Sequence, residues 1–86
     1  MPQISRFFGI IISMYYDDHN PPHFHATYGE FNAEISINDF IVMEGKLPSR
    51  VLGLVVEWAS LHKEELLANW NRIEKGTPIE NIAPLV

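Results

Sequence analysis

The segment from residue 23 to residue 38 restricts the fold more than any other part of the chain. Two runs of alternating apolar and polar residues, 23–28 and 31–38, flank the dipeptide Gly29-Glu30. Alternation is typical of half-buried strands, and glycine at the first central position favours a two-residue type II′ turn. This turn opposes Tyr28 to Phe31 and sorts the side chains by polarity, whereas a slip of one residue would mix them. The apolar side pairs Phe24 with Ile35 and Ala26 with Ala33, and the polar side pairs His23 with Ser36, His25 with Glu34 and Thr27 with Asn32.

The segments on either side of this hairpin are predicted to extend it into a sheet. Residues 4–16 are rich in aromatic and β-branched side chains, which predict one long strand. Residues 17–22 contain two prolines and an Asx cluster, which predict a loop. After a turn at Asn38-Asp39, residues 40–43 predict a short strand that ends at Glu44-Gly45-Lys46, with Gly45 interpreted as a turn residue. The predicted sheet is an antiparallel β-meander of three to four strands.

The periodicity becomes helical between residues 48 and 75, where apolar residues recur at steps of three and four. Pro48 suits a first helical turn, and Gly76 with Pro78 behind it predicts a stop. One long helix and two shorter helices broken near residues 60–62 both fit this pattern. Two are favoured, because Glu64 and Glu65 would suit a new first turn. The apolar stripe consists of Leu52, Val55, Val56, Ala59, Leu66, Trp70 and Ile73.

These elements predict a single α+β domain, because a chain of 86 residues is too short for two cores. We expect a sheet part over residues 1–45, a helical part over 46–76 and an extended tail over 77–86. The sheet is expected to pack on one face against one long or two shorter C-terminal helices, and Trp58 and Trp70 are expected in the core or at its edge. The sheet residues assigned to that contact are Phe24, Ala26, Ile35 and Ile37.

Composition and charge exclude several classes of function. The formal net charge of −5 and the scattered basic residues argue against non-specific nucleic-acid binding, which depends on neutralising phosphates. The N-terminal apolar run holds Arg6 and ends at Asp17-Asp18, so it is too short to span a bilayer, and no small-residue cleavage site follows it. We therefore expect a cytoplasmic protein. Because the chain has no cysteine, a bound metal would need histidine and carboxylate ligands.

Three of the four histidines lie within seven residues of one another. Residues two apart in a strand share a face, so His23 and His25 are expected side by side, and the predicted register puts Glu34 opposite His25. His19 leaves the preceding loop within reach of the same place. Imidazole and carboxylate are ligands that zinc and other divalent first-row metals prefer. The predicted metal ligands are therefore His19, His23, His25 and Glu34, and the cofactor that the sequence suggests is a divalent metal such as zinc.

Two other interpretations of these histidines stay open. In the first, His23 and His25 act as catalytic base and acid for transphosphorylation at an RNA 2′-hydroxyl, and Glu34 orients one of them. In the second, the histidines lie on a solvated sheet face, where His25 and Glu34 form an ordinary cross-strand pair. Asp17-Asp18 is interpreted as a loop-capping pair, and His62 as a residue at a helix surface or boundary.

The sheet face that carries the histidines is also predicted to carry apolar side chains. Exposed apolar patches often mark interfaces, so we expect this face to bind a protein partner or a second copy of the chain. The alternative is that the tail or the second helix folds over it. The residues assigned to this partner face are Phe7, Ile11, Tyr15, Ile41 and Met43.

Several short motifs give the chain a family resemblance. They are Phe8-Gly9-Ile10, the Pro-Pro-His-Phe-His run at residues 21–25, Trp58, Glu64-Glu65-Leu66 and Trp70. Over nearly its whole length the sequence resembles the small prokaryotic proteins of the domain of unknown function 4160 family. The resemblance implies stand-alone single domains with no established activity. It also implies frequent encoding beside another small domain, domain of unknown function 2442, a pairing that suggests a toxin–antitoxin-like module.

These observations favour a protein-interaction module, one half of a two-gene toxin–antitoxin-like or regulatory pair. Its His-rich sheet face, with His23, His25 and Glu34, would be the functional surface. The first alternative is a small metal-independent ribonuclease that uses His23 and His25 as acid and base. The second is a metal-binding regulator that uses the histidines and Glu34 as ligands.

Overall fold

A computed structural model describes residues 2–86, which form one five-stranded antiparallel sheet followed by two helices. The strands lie side by side in chain order, so the sheet is a simple meander. The predicted α+β class and the helices after the sheet are confirmed, but the predicted number of strands is wrong. The elements are β1 Gln3–Phe7, β2 Ile10–Ser13, β3 His23–Tyr28, β4 Phe31–Ser36, β5 Val42–Lys46, α1 Ser49–Leu61 and α2 Lys63–Lys75.

The predicted single strand over residues 4–16 is in fact the hairpin of β1 and β2. Phe8 and Gly9 form its turn with φ angles of 49° and 77°, and Phe7 pairs with Ile10 across it. Positive φ at both central residues is the pattern of a type I′ turn, which usually carries Asn-Gly. Phenylalanine seldom adopts a positive φ, so the turn is hidden in an apolar run. The turn directs Phe7 into the core, where its ring packs against Trp58 and only 5% of the residue is exposed.

The hairpin of β3 and β4 has the predicted register, from Tyr28 opposite Phe31 to His23 opposite Ser36. Gly29 has a φ of 58°, and Glu30 is not among the residues with positive φ, in agreement with the predicted type II′ turn. The apolar side of this hairpin is fully buried at Phe24, Ala26 and Ile35. The alternation of polarity was therefore sufficient to place every pair in these two strands.

The last strand differs from the prediction at both ends. The segment Glu44-Gly45-Lys46, predicted to end it, belongs to β5, and Gly45 pairs with Ala33. Met43 is an extra residue in the ladder, because Glu34 pairs with Glu44 and Ile35 pairs with Val42. Gly45 has a φ of 77°, and a Cβ atom at this position would lie 2.2 Å from the backbone oxygen of Asn32. Glycine is needed here for close strand pairing.

Two helices cover the apolar side of the sheet, as favoured from the sequence. His62 separates them, Glu64 and Glu65 lie in the first turn of α2, and Gly76 closes that helix in the left-handed conformation. Trp58 of α1 is fully buried and its ring contacts Phe24. The buried residues of the helices are Val51, Val55, Trp58, Ala59, Leu66, Asn69, Trp70 and Ile73. Neither helix is long and apolar enough for a membrane span, within residues 2–86.

Residues 77–86 contain no helix or strand, and hydrogen bonds from the backbone and side chains of the domain hold their backbone in place. The amide of Ile82 donates to the carbonyl of Ile4 over 2.8 Å, and the indole Nε1 of Trp58 donates to the carbonyl of Ala83 over 2.8 Å. The fully buried amide of Asn69 pairs with both the carbonyl and the amide of Glu80. The tail therefore contacts β1, α1 and α2.

Candidate metal centre

The connection between β2 and β3, residues 14–22, carries Asp18 to the side chains of β3. A turn closes at the start of this loop, where the amide of Asp18 donates to the carbonyl of Tyr15. The hydroxyl of Tyr16 donates to the carbonyl of Thr77 and accepts from the amide of Ile79, which ties the loop to the C-terminal tail. The loop is therefore held from two sides, and Asp18 is only 17% exposed.

His23 is buried and its ring is fixed by a hydrogen bond to the backbone. Nδ1 lies 2.8 Å from the carbonyl oxygen of Pro21. A carbonyl oxygen can only accept a hydrogen bond, so Nδ1 must carry a proton. The opposite nitrogen, Nε2, faces two carboxylates: Oδ2 of Asp18 at 3.4 Å and Oε1 of Glu34 at 3.6 Å.

His25 lies beside His23 on β3, and the same carboxylate joins the two residues. Nε2 of His25 is 2.9 Å from Oδ2 of Asp18, a good hydrogen-bond distance in which the imidazole donates to the carboxylate. The ring of Tyr15 packs edge-on against His25, with 4.6 Å between ring centroids. Asp18 thus lies between the Nε2 atoms of both histidines.

Asp18, His23 and His25 form the one group that could hold a metal ion among residues 2–86, with one ligand atom from each residue and all three atoms within 4.8 Å of one another. For a metal bound at about 2.0–2.1 Å, neighbouring ligand atoms are about 2.8–3.4 Å apart in octahedral or tetrahedral geometry. The distances of 2.9 Å and 3.4 Å from Asp18 to the two histidines lie in that range. These three residues therefore fit a divalent ion, whereas Oε1 of Glu34, 3.6 Å from Nε2 of His23, lies just beyond that range.

A scan against known families matches the domain of unknown function DUF4160 to residues 9–71, which is most of the chain. This protein belongs to the DUF4160 family. The resemblance stated from the sequence motifs is confirmed. No curated protein and no solved structure gives a significant match. The matched segment of this DUF4160 protein includes Asp18, His23, His25 and Glu34, so the whole cluster belongs to the family domain.

The structure brings together three of the four residues predicted as metal ligands in this DUF4160 protein. His23, His25 and Glu34 are neighbours, as the hairpin register required. His19 is exposed and does not belong to the cluster. Asp18 takes the place assigned to His19, although the sequence favoured a loop-capping role for Asp17-Asp18 over a metal role. The signal available was its spacing, with a carboxylate five residues before the first of two alternating histidines and a proline-rich loop between them.

The predicted partner face of this DUF4160 protein is only partly exposed. Phe7 does not belong to it, because the turn at Phe8-Gly9 directs Phe7 into the core. Ile11 and Tyr15 are half-buried, and the exposed members are Ile41 at 60% and Met43 at 39%. Binding of a partner through this face stays a prediction.

Proposed function

We propose that this DUF4160 protein binds one divalent first-row transition metal, with zinc favoured, through Asp18, His23 and His25. The observation that carries the proposal is the environment of Nε2 of His23, which faces Asp18 and Glu34. With the proton on Nδ1, a neutral His23 presents the Nε2 lone pair to two electron-rich carboxylates. A cation between them would turn this repulsion into attraction.

The distances favour a metal ion over a proton as that cation. A proton on Nε2 of His23 would need an acceptor within about 3.2 Å for a good hydrogen bond, and the two carboxylate oxygens are at 3.4 Å and 3.6 Å. By contrast, the separations of 3.4 Å and 2.9 Å from Oδ2 of Asp18 to Nε2 of His23 and of His25 suit ligands of one shared metal ion. The hydrogen bond from Nδ1 to Pro21 adds support, because metal-ligating histidines usually donate their other N–H to a carbonyl or carboxylate.

The ligand types narrow the choice of metal. Two imidazoles and a carboxylate suit zinc, nickel, cobalt or iron, whereas magnesium and calcium prefer oxygen ligands alone. His25 donates its Nε2 proton to Asp18 in this structure. Metal binding would displace that proton, either to Nδ1 of the same ring or to solvent. Glu34, 35% exposed on β4, would complete the coordination after a small movement of its side chain.

Burial of His23 makes the ribonuclease alternative less favourable. An acid–base pair must contact the 2′-hydroxyl and the leaving oxygen of an RNA chain, so both histidines must be reachable from solvent. The side chain of His25 is 23% exposed, but that of His23 is only 4% exposed. A small ion can enter such a site, whereas a polymer backbone would need the loop over residues 14–22 to move.

The experiment that tests the proposal is a nitrogen NMR spectrum of the four histidine rings, recorded before and after one equivalent of zinc is added to metal-stripped protein. We expect the ring resonances of His23 and His25 to change, because their Nε2 atoms become ligands. His19 and His62 are internal controls and should keep their resonances. Zinc that alters all four rings equally, or none of them, would contradict the proposed site.

A second candidate function is the protein-interaction module expected from the sequence, as one half of a two-gene toxin–antitoxin-like or regulatory pair. Exposure of Ile41 and Met43 supports it, because they are large apolar residues beside or on the edge strand β5. If the surface is used, Ile41→Asp should abolish co-purification with a co-expressed protein of the domain of unknown function 2442, the neighbour that the family resemblance implies. Leu61→Asp changes an equally exposed residue of α1 and is the matched control. Equal co-purification of both variants with the partner would contradict this candidate.

A further inference from the structure

Trp70 of α2 contacts His23 of the candidate metal centre. The residue is 3% exposed, and its ring packs against His23 with 5.4 Å between centroids and 48° between ring planes. His23 also contacts the ring of His25 at 5.3 Å. The imidazole of His23 is therefore held between an aromatic ring from the helix and a second imidazole from its own strand.

An imidazole that presents one nitrogen to a metal must be held both at its opposite edge and against tilting of the ring plane. The hydrogen bond from Nδ1 to Pro21 fixes one edge of the His23 ring, but it leaves the ring free to tilt about that bond. A second ring packed against the imidazole, even at an angle of 48° as here, restricts that tilt. The indole of Trp70 supplies such a contact. Hydrogen-bonding partners of metal ligands change metal affinity by about 10- to 100-fold when they are removed, and we take the lower end of that range as the scale for Trp70.

The indole N–H of Trp70 makes no hydrogen bond within the described part of the chain, so Trp70 acts on its neighbours through the packing of its ring. Nε1 is buried and has no hydrogen-bond partner among residues 2–86, where the only other such side-chain atom is the hydroxyl of Ser5. A buried donor without a partner destabilises a fold. The N–H therefore does not stabilise the packing of α2. The aromatic ring is the part of Trp70 that contacts His23.

We propose that Trp70 is a positioning residue for the metal ligand His23, an inference that rests on the proposed metal-binding function. Its ring keeps Nδ1 of His23 directed to Pro21 and Nε2 directed to Asp18. Helix α2 thereby contributes to a site whose ligands come from the loop over residues 14–22 and from β3. Loss of the aromatic ring should therefore weaken metal binding, even though Trp70 is not one of the proposed ligands.

The test compares zinc dissociation constants of the wild type with those of Trp70→Phe and Trp70→Leu, measured by competition with a chromophoric chelator. Trp70→Phe keeps an aromatic face and should bind zinc within about threefold of the wild type. Trp70→Leu removes that face and should weaken binding about tenfold or more. Ile73→Val, a mild change at another buried position of α2, controls for a general loss of packing. If Trp70→Leu does not fold, Trp70→Met replaces it.

A second readout separates positioning from stability. In metal-free protein we expect one His23 tautomer, with the proton on Nδ1, in the wild type and in Trp70→Phe, and a mixture in Trp70→Leu, measured by long-range nitrogen NMR. Unchanged zinc affinity and a single tautomer in Trp70→Leu would overturn the role of Trp70. A wild type that binds no zinc would instead contradict the proposed metal site itself.

Discussion

Gly45→Ala is expected to lower the free energy of unfolding by about 3 kcal/mol or more. An L-residue in the left-handed region is disfavoured by roughly 1–2 kcal/mol, and Gly45 has a φ of 77°. In addition, the new Cβ atom would lie 2.2 Å from the carbonyl oxygen of Asn32, a backbone atom that cannot turn aside. β5 would have to separate from β4. For a domain of this size the total stability is roughly 4–13 kcal/mol, so the loss is a large fraction of it.

Urea denaturation followed by circular dichroism measures this effect, with Gly53→Ala as the matched control. Gly53 lies in α1, is exposed, and has no atom within 4 Å of an added Cβ. The same substitution there should stabilise the protein by about 0.5–1 kcal/mol, because alanine is the better helix former. A loss below about 1 kcal/mol for Gly45→Ala would show that the strand pairing between β4 and β5 is not as close as described.

The parts of the sheet that could be predicted from the sequence are those in which polarity alternates. Residues 23–36 alternate cleanly, and their register was correct throughout. The prediction of Phe8-Gly9 as strand residues and of Gly45 as a turn residue is wrong, because the roles of these residues depend on their backbone φ angles. A type I′ turn with phenylalanine looks like the interior of an apolar strand, and a glycine within β5 looks like the end of one. The pairing with the neighbouring strand is what distinguishes a turn from a strand interior at these positions.

The candidate site likewise has one part that the sequence pattern predicts and one part that it does not. Strand geometry placed His23, His25 and Glu34 together, because side chains two apart on a strand and opposite one another across a pair must be neighbours. Asp18 and His19 are adjacent in a loop, and no periodicity decides which of them turns inward. The hydrogen bonds of Tyr16 with Thr77 and Ile79 help to hold the loop with Asp18 turned inward. These partners are 61 and 63 positions apart in the chain, so no local pattern predicts the contacts.

The burial of Trp70 could be predicted from the sequence, but its contact with His23 could not. The sequence predicted a core or core-edge tryptophan, and the structure places it there, at 3% exposure. Its contact with His23 depends on how α2 crosses the end of β3, which helical periodicity does not determine. Residues that support a ligand from another element are therefore the hardest to find without a structure.

Asp18→Ala is expected to weaken zinc binding by about 100-fold or more. The substitution removes the carboxylate that lies 2.9 Å from His25 and 3.4 Å from His23, and with it a proposed ligand and its negative charge. Loss of outer-shell contacts alone costs about 10- to 100-fold in affinity, so loss of a ligand should be at least as severe. Asp17→Ala makes the same change in net charge one residue earlier, at an exposed position, and should bind within about threefold of the wild type.

A calorimetric titration of zinc into metal-stripped wild type, Asp18→Ala, Asp17→Ala and His19→Ala is the most direct measurement of the metal site. The wild type should bind one zinc ion with micromolar or tighter affinity, and only Asp18→Ala should lose that binding. This result would assign the third ligand to the carboxylate that the loop turns inward. Wild-type affinity in Asp18→Ala, or loss of binding in His19→Ala, would contradict the ligand set of Asp18, His23 and His25.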